Sequence, residues 1–368
     1  MAVLEKIIIG DFRNIESAEM TFSPKINCIC GNNGEGKTNL VDAIHYLSMT
    51  KSAFQNSDRQ NFRYGTSQFT ISGFYLLPDG LSTRFTVQVS GDGEKKLRRD
   101  GKAVKRVSDH IGQFPVVLVS PSDTMLVSDS GEYRRRFVNA VLSQMDAKYL
   151  SDLQMYNRYL AQRNKLLKEP SPDRGLLEVL AGKMSELSEG IFEARKDFAR
   201  DLLPLAREYY RLISGGRECI GISYSSDLSK GSLADILASC IEKDMALGFT
   251  SAGLQRDDLQ FTLDSHSIRS AGSQGQQKSF LVALKFAQYE LMRSGYGFPP
   301  ILLLDDVFDK LDMDRVSNLI EMVSGSAFGQ IFITDSNKVR LQGIVDRFAE
   351  DRRYIEASSG SFTVQNYV

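Results

Sequence analysis

Long apolar runs are missing from this chain. No aliphatic stretch exceeds four residues, a length reached at Val116–Val119 and Ile301–Leu304, whereas a bilayer crossing takes roughly 20. The N-terminal segment already carries Glu5, Lys6, Asp11 and Arg13, which leaves no apolar core for a signal peptide. The expectation is a cytosolic protein with no membrane partner. Cysteine is sparse as well: Cys28, Cys30, Cys219 and Cys240 are too few to staple 368 residues. Cys28 and Cys30 fall on one face of a strand. They read as small buried hydrophobes, since no Cys/His pair at zinc spacing follows them. The three histidines, His45, His110 and His266, come without a G-x-S-x-G nucleophile motif, which sets aside Ser-His-Asp chemistry. Glycine at 29 and proline at 9 are too few for a collagen-like or low-complexity chain. What remains is ordinary: 42% hydrophobic and 25% charged residues, enough for two to three globular domains.

Charge of either sign is in near balance. Lys and Arg number 45 against 46 Asp and Glu, a net of -1, so the whole molecule is not a basic nucleic-acid binder. The distribution is uneven, however. Lys95, Lys96, Arg98, Arg99, Lys102, Lys105 and Arg106 face only Glu94 and Asp100 nearby, and Arg134, Arg135 and Arg136 form a second cluster. Such patches can hold a DNA phosphate backbone on a neutral protein. They can equally be a solvated hairpin and a solvated helix face.

Aliphatic content and alternation predict strands at 3–9, 26–30, 68–76, 83–90, 95–105 (a hairpin), 116–119, 258–264, 301–305 and 330–334, with helices at 279–293 and 312–323. From about Glu132 apolar residues recur at three and four, pause at Pro170 and Pro172, and resume until Gly215-Gly216. This predicts an arm of two antiparallel helices, each on the order of 35–40 residues and roughly 50–60 Å long. The organisation expected is α/β: an N-terminal head part at 1–122, a helical arm at 123–250 and a C-terminal head part at 251–368.

Residues 31–38 read GNNGEGKT, matching G-x-x-x-x-G-K-[ST], directly after the strand ending at Cys30 and at the start of a helical stretch. Gly31, Asn32, Asn33, Gly34, Glu35 and Gly36 would turn backbone N–H groups toward phosphates at a helix N-terminus. Lys37 would bridge the β- and γ-phosphates of ATP, and Thr38 would supply its hydroxyl to Mg²⁺. ILLLDD at 301–306 puts Asp305 at the carboxyl end of a buried strand, positioned to hold the Mg²⁺. Asp306, next in line, can orient and deprotonate an attacking water. The chain between the two motifs is far longer than a small kinase or GTPase needs. It includes SQGQQ at 273–277, directly before the helix at 279–293, where Ser273, Gln274, Gly275 and Gln276 make a second anion-binding arrangement. A spare cradle suggests action on the nucleotide of another copy.

GNNGEGKT, SQGQQ, ILLLDDVFDKLD and QIFITDS, in this order around a helical insert, resemble the ABC-type P-loop ATPase heads of the SMC/Rad50 superfamily. DFRNI, SPSDTMLVSDSGEYRRRFVN, MYNRYLAQRNKLL and RDDLQF extend the resemblance over nearly the whole chain, to the RecF family of bacterial recombination mediators. The resemblance implies an ATP-dependent homodimer in which Ser273, Gln274, Gly275 and Gln276 close over the partner's γ-phosphate, Arg13 approaches the nucleotide and Asp312 crosses the seam. It also implies slow ATP hydrolysis, binding of dsDNA and ss/dsDNA junctions, partnership with RecO and RecR in loading recombinase at gaps, and a place in the bacterial cytoplasm. Three departures stand out. Gln255 replaces the family's usual His before the Arg-Asp-Asp, Thr334 and Asp335 stand where a switch His would be, and no Q-loop glutamine is evident near Ser120–Ser122. A Rad50-like tether would need a longer arm, a transporter ATPase would not need the helical insert, and a small-molecule kinase would not need the spare signature.

Overall fold

A computed structural model describes residues 2–216, 218–307, 313–325, 327–348 and 351–365. The chain divides into two compact units, Met1–Asp123 with Gln288–Val368, and Thr124–Ala287.

In the first unit, two six-stranded sheets form. One is an antiparallel meander in the order Ile15–Thr21, Val3–Phe12, Gln68–Leu76, Ser82–Ser90, Lys95–Arg99 and Lys102–Ala103. The other runs Ser361–Gln365, Arg352–Ser358, Ile26–Cys30, Ile331–Asp335, Ile301–Asp305 and Val116–Val119, parallel except at its first edge. The three central strands are buried at every position, as their unbroken apolar runs require of a parallel sheet covered on both faces. The helix Lys37–Met49 contacts strands of both sheets. It can do so because Leu40, Val41, Ala43, Ile44, Tyr46 and Leu47 bury more than one face of it. Cys28 and Cys30 are buried in the parallel sheet, and burial pushes both thiols up, Cys30 to about 11. They are inert packing residues.

The second unit holds the helices Gly131–Met145, Ala147–Leu166 and Arg174–Ser214 and a small sheet ordered His266–Ser267, Asp258–Leu263, Ile220–Ser225. Tyr149, Leu153 and Tyr156 pack with Met184, Ile191, Leu233, Leu237 and Leu254 in its core. The second long helix matches expectation: 41 residues, about 60 Å, ended by Gly215 at a φ of 80. The first is not one helix. Asp146 leaves the helical region at φ -138 and caps the next helix by accepting from the Lys148 N–H at 2.7 Å, so the segment becomes helices of 15 and 20 residues. The boundary expected at 250/251 also differs. Asp258–Leu263 pairs antiparallel with Ile220–Ser225, which ties the segment as far as Ala287 to the second unit. Among the described residues no helix is long and apolar enough to cross a membrane.

Candidate functional site

The P-loop leaves the buried strand Ile26–Cys30 and ends at Gly36, whose φ of 105 is left-handed and which caps the helix Lys37–Met49 without any side chain. The N–H groups of the helix's first turn are therefore uncovered by a cap, and no acid stands in that turn. Asn32, Asn33 and Gly34 are exposed. Lys37 is buried, and its ammonium donates to the carbonyls of Gly31 at 2.6 Å and Asn32 at 2.8 Å. A cation curled over its own loop at a helix N-terminus is an arrangement suited to a polyphosphate.

The far wall of this loop is the end of the strand Ile301–Asp305. Thr38 Oγ1 donates to Asp305 Oδ1 at 3.1 Å, and Thr334 Oγ1, from the strand between them, donates to the same oxygen at 2.8 Å. Burial pushes the Asp305 carboxyl up, opposed by those two hydroxyl bonds, with the Asp306 carboxylate adding to the rise. Asp306 turns away from the strand at a φ of 50, its N–H donating to Thr334 Oγ1 at 2.9 Å. A buried carboxylate beside a hydroxyl, both hard oxygen donors, fits Mg²⁺. Thr334 thus links both acids, although in the sequence it registers only as a missing histidine. Asp335 is neutralised by Arg340 at 2.7 Å.

Arg13 lies beside this helix but is committed. It pairs with buried Asp42 at 2.6 Å and donates to Asn39, Ser52 and Asn61. In this structure it braces the helix from which Thr38 projects. Its neighbour Asn14 accepts from Asn39 at 2.7 Å and donates to the Gly34 carbonyl at 3.4 Å.

Sequence reading also missed the turn Ser359-Gly360. Glu35 accepts the Ser359 N–H on its carboxylate and the Gly360 N–H on its carbonyl at 2.9 Å. A Cβ at Gly31 would overlap the Ala357 carbonyl, and one at Gly360 the Asn14 carbonyl. Two turns far apart in the chain thus clasp the P-loop. Gly360→Ala would meet backbone at a φ of 78, a strain of about 1–2 kcal/mol from the left-handed region alone. The expected outcome is a lower melting temperature together with weaker ATP binding in a fluorescent-nucleotide titration. Unchanged nucleotide affinity would show that the clasp does not shape the loop.

Ser273 opens the 23-residue helix Gln274–Tyr296 in a capping box: its N–H donates to Gln276 Oε1 at 2.6 Å and its Oγ accepts from the Gln276 N–H at 3.3 Å. Gln276 is steadied by Glu218 at 2.5 Å. Ser273, Gln274 and Gly275 are exposed. Asp312 lies outside the described residues.

The basic clusters are divided. On the strand Lys95–Arg99, alternation turns Lys96 and Arg98 to solvent, while Lys95 pairs with Asp58 at 2.8 Å and Arg99 reaches Gln113 at 3.4 Å. Lys102, Lys105 and Arg106 are exposed. In the other cluster Arg134 is engaged within the fold. Asp258 takes two of its nitrogens at 2.7 and 2.9 Å, and the carbonyls of Leu126 and Asp129 take the third. Arg135 donates to the Asp257 carbonyl at 2.8 Å, and Arg136 is exposed beside Glu132. The period of a helix cannot tell which arginine meets an acid from a strand 124 residues later.

A P-loop joined through a hydroxyl to an acid on the next-but-one strand, in a parallel sheet beside an antiparallel one, defines a P-loop ATPase head of the ABC type. The family described as the RecF/RecN/SMC N-terminal domain matches residues 3–349. The chain belongs to the RecF family of DNA replication and repair proteins. It is 42% identical to RecF of Porphyromonas gingivalis over 97% of this chain and 99% of that one. To RecF of Bacteroides thetaiotaomicron it is 40% identical, over 97% of each. A solved structure of the recombination mediator RecF with ATP, in the RecFOR pathway, superposes with a TM-score of 0.89 at 26% identity, covering 99% and 98% of the two chains. An Smc head domain from Pyrococcus furiosus superposes at 0.58 with 17% identity, over 99% and 96%, and shares the fold.

Proposed function

We propose that the chain is an ATP-operated DNA-binding protein. Two copies close on ATP, hold dsDNA or an ss/dsDNA junction, and engage RecO and RecR. The observation that carries this reading is the unbroken run from Lys37 and Thr38 through Asp305 and Thr334 to Asp306. It supports reading Lys37 as the phosphate cation, Thr38 and Asp305 as the metal-binding oxygens and Asp306 as the base. Thr38 and Asp305 would hold Mg²⁺, which when bound neutralises phosphate charge. Lys37 and the helix N-terminus of Lys37–Met49 would bind and orient the phosphates. The signature Ser273–Gln276 would meet the partner's γ-phosphate with its capped helix end. Arg98, Lys102, Lys105 and Arg106, with Lys96 and Arg136 in exposed pairs with Glu94 and Glu132, are the solvent-facing side chains that would meet a phosphate backbone. The reading is supported by the RecF relatives, one of which was solved with ATP in the RecFOR pathway.

Asp306 would take the proton of the attacking water, and hydrolysis would be slow because no switch histidine assists it. Asp306→Asn keeps the shape, tolerates the left-handed φ and cannot accept that proton. It is expected to bind ATP normally, hydrolyse it roughly 10²-fold or more slowly and persist as a dimer. Light scattering with ATP, alone and with duplex DNA, together with a phosphate-release assay, tests both halves. Turnover equal to wild type would move the base elsewhere, and a monomer at saturating ATP would end the dimer reading.

A further inference from the structure

The second unit contains a cavity of about 290 Å³ lined by the charged Glu132, Arg135, Arg136 and Arg195 and by Asn139 and Asn157, with buried core residues behind them. Its charges do not balance. Arg134 has Asp258, Arg195 has Asp257 at 2.6 Å, and Arg136 has Glu132 at 2.5 Å. Arg135, in the middle of this set, donates to the neutral Asp257 carbonyl and forms no ion pair among the described residues, although the carboxylates of Asp258, Glu132 and Asp257 act on its charge from farther away. A partly buried guanidinium without a carboxylate is costly unless an anion completes it. Burial accordingly pulls the Arg135 guanidinium down from its usual range.

We propose that this cavity receives a carboxylate from an acidic segment of a partner protein. The carboxylate would meet Arg135, with Arg136 and Asn157 beside it. A carboxylate matches the planar fork of a guanidinium. A recessed volume of this size admits one side chain or a chain end, whereas a duplex backbone presents its phosphates along a broad convex surface. This site is separate from the nucleotide cradle and does not depend on the ATP reading.

The test uses the full chain and a fluorescein-labelled peptide rich in Asp and Glu with a free carboxyl terminus. An amidated peptide with Asn and Gln in place of its acids is the control, and a labelled duplex is the second ligand. Arg135→Met keeps the apolar stem. Asn157→Asp, at an exposed helical position, adds a repelling charge without touching the core and should melt like wild type. Anisotropy is expected to show binding of the acidic peptide and not of the control, weakened roughly tenfold or more in each variant, with duplex affinity unchanged. No peptide binding at millimolar concentration, or equal affinity in wild type and Asn157→Asp, would overturn the proposal. Loss of duplex affinity with unchanged peptide binding would assign the cavity rim to DNA instead.

Discussion

Lys37→Ala is expected to abolish ATP binding at micromolar nucleotide. The side chain is buried in the loop and supplies its cation. Two charge-assisted bonds to phosphate oxygens at about 1.5–3 kcal/mol each amount to a loss of 10²-fold or more. The helix N-terminus that remains contributes up to about 2 kcal/mol, too little to hold a nucleotide by itself. Because Lys37 Nζ bonds to two backbone carbonyls of its own loop, the variant also loses a local tie, so a thermal melt must accompany the titration. A folded variant with normal ATP affinity would remove the phosphate role from Lys37 and with it the P-loop assignment.

Ser273→Arg is expected to bind ATP normally yet lose the ATP-induced dimer and the ATP-stimulated part of DNA affinity. Ser273 is exposed, and among the described residues its hydroxyl bonds only within the capping box with Gln276. Losing that cap costs about 1 kcal/mol of helix stability, which the unit should survive. An arginine there would fill the space in which, on the proposed reading, a partner's γ-phosphate would approach the helix end. The effect on DNA follows from valency. With Arg134 held by Asp258 and Lys95 by Asp58, each copy offers few phosphate contacts, and such binding is weak and salt-sensitive. Two copies joined by ATP would place both sets on one duplex and gain by effective concentration. Gel shifts at fixed salt, with and without ATP, read this directly. Undiminished ATP stimulation in Ser273→Arg would leave a monomeric DNA-binding ATPase.

What could be determined from the sequence alone was local. The glycine pattern before Lys37, four aliphatics ahead of Asp305 and the Gly215-Gly216 stop each specify an element through neighbours a few residues away. The strands at 26–30, 116–119 and 301–305 accordingly stand where their composition puts them. Tertiary structure decided whatever depended on a distant partner. Asp58 and Asp258 neutralise two candidate DNA contacts. Strand pairing between 220–225 and 258–263 carries the signature segment into the second unit. The turn at Ser359-Gly360 closes on Glu35, 324 residues away. The physical reason is the same in each case. Periodicity records which face of an element is buried, but a carboxylate, a carbonyl or a missing Cβ acquires its role from the group that folding sets against it.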